Sequence, residues 1–161
     1  MRIFLIHIRD PQFYALPATT RGANGNIRIM GFPPIGIMSL SAVLKRDGHE
    51  CVMFDQANPE TPNPVIIEEI RRQQPSLIGL SFLSTTSYPY AKVLARQIRA
   101  MDSRVRLAFG GVFATLNAHL VKTQCPEVDF ICRGDGEQLI LDLLEHLDDP
   151  AAVAGLTWAK D

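Results

Sequence analysis

Charge of one sign is the first thing this sequence lacks. Its 161 residues carry 16 Lys and Arg against 17 Asp and Glu, a net charge of -1 with a pI near 6.4. With no basic block there is no electrostatic footprint for a nucleic-acid partner. Cysteine is scarce: Cys51, Cys125 and Cys132 are odd in number and widely spaced. That excludes a disulfide framework and a close-spaced metal-ligand pair, and reduced thiols in a cytoplasmic setting are expected. Long hydrophobic runs are missing too, so no transmembrane span is expected. The opening Met1-Arg-Ile-Phe-Leu-Ile-His-Ile is too short for a signal peptide, polar residues follow at once, and it reads as a first strand. A phosphate loop with its lysine is absent, as is the glycine fingerprint of dinucleotide folds after the first strand. His7, His49, His119 and His146 are scattered, and none stands in a recognisable nucleophile pattern with a serine.

What is present is a repeated alternation. Residues 2–8 form a short β-rich run. Residues 9–34 then hold Pro11, Pro17, Gly22, Gly25 and Gly31 without a clear period, and an aperiodic loop of that length in a small domain is usually functional or mobile: it either lies over whatever the sheet binds or is a simple insertion. Pro33-Pro34 opens a helix whose Ile37, Leu40, Val43 and Leu44 recur at helical spacing, stopped at Gly48. Residues 50–54 make a second strand ending at Asp55, and residues 65–74 an amphipathic helix halted by Pro75. Residues 88–101 form the next helix, with Arg96 and Arg99 expected on a solvated face. A fourth strand spans 105–109 before Gly110-Gly111, followed by one helix carrying Leu116, Leu120 and Val121. A fifth strand at 128–132 leads to a helix over 138–147. Residues 153–158 read as a last short strand or as the lead into a further segment, so 150–161 is also a candidate linker. The whole chain is expected to be one domain by size.

Strand–helix alternation with short connections predicts an α/β fold, a parallel sheet with helices on both faces. Its strand-to-helix loops then gather on one edge, where open α/β sheets bind ligands. The central stretch, Ser76-Leu-Ile-Gly-Leu-Ser-Phe-Leu-Ser-Thr-Thr-Ser87, begins as a buried strand and ends in hydroxyls. Those hydroxyls either form a wall of the crevice or cap the next helix. Gly110 and Gly111 allow close backbone approach or an unusual dihedral. Asp135 and Glu137 either act as an acid/base pair or simply favour a helix N-terminus.

Four segments in register carry a family resemblance: Pro33-Pro34-Ile-Gly-Ile-Met-Ser-Leu-Ser-Ala-Val-Leu-Lys-Arg-Asp-Gly-His49, Ile78-Gly-Leu-Ser-Phe-Leu-Ser-Thr-Thr86, Phe109-Gly-Gly-Val-Phe-Ala-Thr115 and Asp129-Phe-Ile-Cys-Arg-Gly-Asp-Gly-Glu137. Together they resemble the cobalamin-binding domain of B12-dependent radical S-adenosylmethionine enzymes. The resemblance implies a flavodoxin-like (Rossmann-like) three-layer sandwich with five parallel strands in the order 2-1-3-4-5. It implies cobalamin over the carboxyl edge, the corrin ring on the loops and the nucleotide tail in the crevice. The residues it assigns to the cofactor are Pro34, Leu83, Ser84, Thr85, Thr86, Gly110, Gly111, Val112, Phe113, Gly134, Asp135, Gly136 and Glu137.

The sequence departs from related patterns in three places. Methionine-synthase-like domains carry Asp-x-His-x-x-Gly after the first strand; here Asp10 is followed by Pro11 and Gln12. The resemblance therefore implies base-off cobalamin with no protein histidine on cobalt, Leu83 or water facing the lower side. Phe113 stands where many relatives have histidine. The cysteine triplet that holds a 4Fe-4S cluster is absent from these residues, so that cluster and S-adenosylmethionine are expected only with a radical SAM domain in a longer protein. By itself the chain is expected to bind cofactor and catalyse nothing. Two other readings are a regulatory or interaction domain that has lost the corrinoid, motivated by Phe113 and the 9–34 loop, and a small-molecule enzyme using Asp135 or Glu137.

Overall fold

The structure, a computed structural model, describes residues 1–10, 33–58 and 60–158. Strands β1 (Arg2–His7), β2 (Glu50–Asp55), β3 (Leu77–Ser81), β4 (Arg106–Gly110), β5 (Phe130–Cys132) and β6 (Leu156–Trp158) form one sheet in the order 2-1-3-4-5-6. The helices are α1 (Ile35–Arg46), α2 (Asn63–Gln73), α3 (Tyr88–Met101), α4 (Val112–Leu116), α5 (Ala118–Gln124) and α6 (Gly136–Glu145). The first five strands are parallel and follow the expected order. Most of the 9–34 loop lies outside the described residues.

The expectation of five strands is corrected to six. β6 runs antiparallel to β5, pairing Phe130 with Trp158 and Cys132 with Leu156. An antiparallel return needs no crossover helix, and here a short 3-10 turn at Pro150–Ala152 and Gly155 supply it. Gly155 has φ +78°, a value that favours glycine, and its carbonyl accepts the Arg133 amide at 2.9 Å.

Side chains alternate across the sheet, as the pleat requires. Phe4, Ile6, Ile78, Leu80, Leu107, Phe109 and Ile131 face α2 to α5, meeting Ile66, Ile70, Leu94, Ile98 and Val121. Ile3, Leu5, Leu77, Ala108 and Phe130 face α1 and α6, meeting Ile37, Leu44, Leu139, Ile140, Leu143 and Leu144. Three layers result, with β1 and β3 at their centre. Burying a side chain such as Ile3 or Phe4 stabilises the fold by about 1.5–3 kcal/mol relative to exposure.

Local chemistry sets the element ends. α2 begins at Asn63 with a proline in its first turn and ends at Gln74, which adopts φ 46°. The following Pro75 disfavours the right-handed helical region at Gln74. The single helix expected after β4 is broken in two at Asn117 (φ -124°). The Asn117 side-chain amide donates to the Phe113 carbonyl at 3.0 Å, a local bond that competes with helix continuation. Arg99 also departs from expectation. It is largely buried and ties three segments together, donating to the carbonyls of Ser103, Val105 and Glu127 and to the Asp129 carboxylate at 2.8 Å.

Candidate functional site

The centre of the sheet is hollow on the α1/α6 face because four small residues meet there. Gly79 is paired with Ala108, and Ser81 with Gly110, on adjacent strands β3 and β4. By the two-residue period all four lie on the same face. With no large side chain rising from the floor, a cleft of about 210 Å³ opens between α1 and α6. Leu5 and Leu77 extend the floor, Ile37 and Leu40 form the α1 wall, and Leu139, Ile140 and Leu143 form the α6 wall. The polar groups at the cleft lie at its carboxyl-edge mouth: Ser81 and Cys132 end their strands, and Asp135 and Glu137 start α6. Burial pushes the Cys132 thiol up to about 12, so it remains a thiol at neutral pH.

Gly110, Gly111, Gly134, Asp135, Gly136 and Glu137, from the residues the resemblance assigned, all border this cleft. Gly111 has φ +94°, and a Cβ there would stand 2.5 Å from the Phe82 carbonyl oxygen. Gly134 has φ +86° and donates its amide to the Thr115 hydroxyl at 3.1 Å. Asp135 is the N-cap residue of α6 without a side-chain capping bond. Glu137 accepts the Ser39 hydroxyl at 2.6 Å, bridging α6 to α1 across the mouth. That bond, with backbone amides, holds the Glu137 carboxyl below the usual range. It is a fixed acceptor in the ionised form, unlike a general acid poised near neutrality.

Pro34, Leu83, Ser84, Thr85, Thr86, Val112 and Phe113 do not line the cleft. Ser84 and Thr86 instead donate to the carboxylate of Asp10, which is only 7% exposed; the Thr86 bond is 2.7 Å. Ser84 and Ser87 bond reciprocally through hydroxyls and backbone. The hydroxyl run thus locks the end of β1 to the loop after β3, and Ser87 closes the first turn leading to α3. Thr85 is exposed. Leu83 (51% exposed) and Val112 (55%), with Ile35 (71%) and Leu116 (76%), form an apolar rim on the loops and helices at the carboxyl edge. Phe113 is buried on the opposite face of the sheet, stacked on Tyr88 with centroids 5.0 Å apart and beside Phe82. It therefore does not obstruct the cleft, contrary to the observation that motivated a ligand-free regulatory domain.

Sequence reasoning overlooked Gly79 and Ala108, and it treated Asp10 only as a position lacking a following histidine. Small residues two apart on neighbouring strands (Gly79 and Ser81, Ala108 and Gly110) were the available signal. Recognising it requires the β3–β4 register, which a single strand does not reveal.

A Rossmann-like three-layer domain with an apolar cleft at the carboxyl edge of its sheet is the class that fold and site define. Residues 30–144 match the B12 binding domain family, and the chain belongs to that family. An anaerobic magnesium-protoporphyrin IX monomethyl ester cyclase of Synechocystis sp. is 29% identical over 133 residues, covering 80% of this chain and 27% of the relative. An uncharacterized methyltransferase of Pyrococcus horikoshii is 26% identical over 77% of this chain and 27% of its own length. The chain thus spans about a quarter of these curated relatives. Among solved structures, the cobalamin-dependent S-adenosylmethionine radical enzyme OxsB superposes with a TM-score of 0.67 at 18% identity, covering 99% of this chain and 21% of the enzyme. A cobalamin-binding protein from Desulfitobacterium hafniense gives a TM-score of 0.53 at 14% identity, over 76% of this chain and 48% of its own. These two likenesses speak to the fold.

The cleft leaves room for an elongated ligand. A Cβ added at Gly36, Gly110 or Gly134 would meet nothing within 4 Å. Open space therefore lies above the positions where ordinary residues would place side chains.

Proposed function

We propose that this chain binds cobalamin at the carboxyl edge of its sheet, as the cofactor-binding module of a B12-dependent radical S-adenosylmethionine enzyme. The observation that carries the reading is the open trough over Gly79, Ser81, Ala108 and Gly110. The nucleotide tail takes this cleft, and the corrin ring lies over the rim around Leu83 and Val112. The walls from α1 and α6 exclude water from the tail, and the Asp10–Ser84–Thr86 network holds the β3 loop rigid beneath the ring. With its tail in the cleft, the cofactor is base-off. Asp10 is followed by Pro11 and Gln12 rather than by the spacing that would present a histidine to cobalt, and the lower side of a bound corrin would then meet Leu83 or water. Bound cobalamin supplies a cobalt centre for methyl transfer or other radical chemistry, to which a radical SAM domain would bring the 4Fe-4S cluster and S-adenosylmethionine. A cytoplasmic setting belongs to the same proposal, in keeping with three free cysteines. Among the described residues no helix is long and apolar enough to cross a membrane.

Titration with hydroxocobalamin, followed by the visible spectrum and by co-migration on a sizing column, tests this reading. A spectral change with retained corrinoid is expected under both reducing and oxidising conditions. Protein that elutes colourless under both refutes it.

A further inference from the structure

We infer that a second ligand site, selective for a small monocarboxylate, lies at the same carboxyl edge over the opposite face of the sheet. A cavity of about 220 Å³ opens there, where β1 and β2 end and α2 and α3 begin. It shares no residue with the cleft between α1 and α6, and the inference does not rest on cobalamin binding. Its lining is almost wholly polar. Arg9 comes from the end of β1, Gln56, Asn58 and Thr61 from the loop after β2, and Asn63 and Tyr90 from the first turns of α2 and α3. Arg9 is the one charged side chain in this lining. It pairs with no carboxylate among the described residues.

The lining is arranged to donate. The Arg9 guanidinium lies over the Tyr90 ring, 5.0 Å from its centroid, a contact that holds the planar group and leaves its N–H edge open. The Asn58 side-chain oxygen accepts the Glu60 amide at 3.0 Å, and the Asn58 side-chain nitrogen has no partner among the described residues. The Gln56 side-chain nitrogen donates to the Asn63 side-chain oxygen at 2.7 Å, and the Asn63 side-chain nitrogen to that of Gln97 at 2.8 Å, which fixes both lining amides. The Thr61 hydroxyl turns its proton to the carbonyls of Asp55 and Asn58, so the loop is shaped before any ligand arrives. Open donors therefore outnumber open acceptors, which suits an anion. A carboxylate can take the flat guanidinium edge with both oxygens and the Asn58 amide on a remaining lone pair. One cation among neutral partners matches one negative charge. A phosphate dianion would enter with half its charge uncompensated. A neutral carboxamide would forfeit the charge-assisted bonds and bring further donors to a cavity already rich in them.

The test is a titration of the isotope-labelled 161-residue chain, read by amide NMR shifts, with propionate, propionamide and inorganic phosphate at constant ionic strength. Propionate is expected to give saturable shifts at Gln56, Asn58, Thr61, Asn63 and Tyr90, with affinity about fivefold or more above either other probe. Arg9→Gln is expected to weaken propionate about fivefold or more. Asn58→Asp keeps the oxygen that accepts the Glu60 amide and adds a negative charge to the cavity, and it is expected to abolish saturation. Propionamide or phosphate that binds as tightly as propionate overturns the inference, as do shifts that never saturate or an Arg9→Gln chain with unchanged propionate affinity. Dialysis against cobalamin separates the two sites. Cobalamin affinity that falls with Arg9→Gln assigns the cavity to the corrin's own amides and overturns a second site. Failure of the unsubstituted chain to bind cobalamin overturns the proposed function alone, and the carboxylate site is then decided by propionate.

Discussion

Gly110→Leu separates folding from binding more cleanly than any other substitution at this site. Gly110 ends β4 on the cleft face, and a Cβ there meets no atom within 4 Å. The new side chain therefore enters the cleft rather than a packed core. Folding stability should change by less than about 1 kcal/mol, because leucine suits a strand better than glycine and restricts the unfolded chain. Binding should respond far more. An aromatic base buried in the cleft removes about 150 Å² of apolar surface from water. At ~25 cal/mol per Å² that is about 3.8 kcal/mol, equivalent to a few hundredfold in affinity. Urea unfolding followed by circular dichroism gives the first quantity, and dialysis against cobalamin gives the second. A folded Gly110→Leu protein that binds cobalamin with unchanged affinity would refute the placement of the tail between α1 and α6.

Three further outcomes follow from the same geometry. Gly111→Ala forces a side chain into φ +94° and against the Phe82 carbonyl; it should destabilise the domain by about 2–3 kcal/mol in urea, and an unchanged midpoint would contradict the contact. Asp10→Ala removes the carboxylate acceptor of the Ser84 and Thr86 hydroxyls, leaving them only each other and Ser87, with an expected loss of about 1–3 kcal/mol and faster amide exchange in residues 82–87. Burial lowers the pKa of His7, only partly offset by Asp55. The unfolded chain then binds the extra proton first, so this contribution to stability is intact above about pH 6.5 and declines as pH falls through that value. His7→Gln should flatten the pH dependence of the urea midpoint between pH 7 and 5, and an unaltered slope would count against a buried neutral imidazole.

The strand–helix alternation and the parallel sheet were legible because hydrophobic runs and helical periods repeat along the chain, and each signal is local; the order 2-1-3-4-5 came only with the family resemblance. α3 at Tyr88–Met101 matched its expected bounds for that reason. β6 was not resolved in advance because Val153 to Trp158 is short, and its pairing depends on the return at Gly155. The site was legible at its mouth, where glycines and carboxylates stand out in the sequence, and illegible at its floor. Gly79 looks like any glycine in a strand until the register sets it beside Ala108. Ser84, Thr86 and Ser87 were recognised as polar and close to the edge. Asp10, the partner of Ser84 and Thr86, is more than seventy residues away, a separation that no periodicity spans. Arg99 looked like a surface charge because it sits on an amphipathic helix; its carbonyl partners come from the loops before β4 and β5.

The trough divides its glycines into two groups with different evolutionary exposure. A side chain at Gly111 would collide with the Phe82 backbone, so selection for a foldable protein already opposes its replacement, whereas one at Gly79 or Gly136 would press only on the movable ends of Leu5 or Leu40. Gly36 and Gly110 have no such neighbour, and only a requirement for the vacant space itself would keep them small. In a lineage relieved of ligand binding, these two positions should be the first to drift, closing the cleft while the sheet beneath it stays intact.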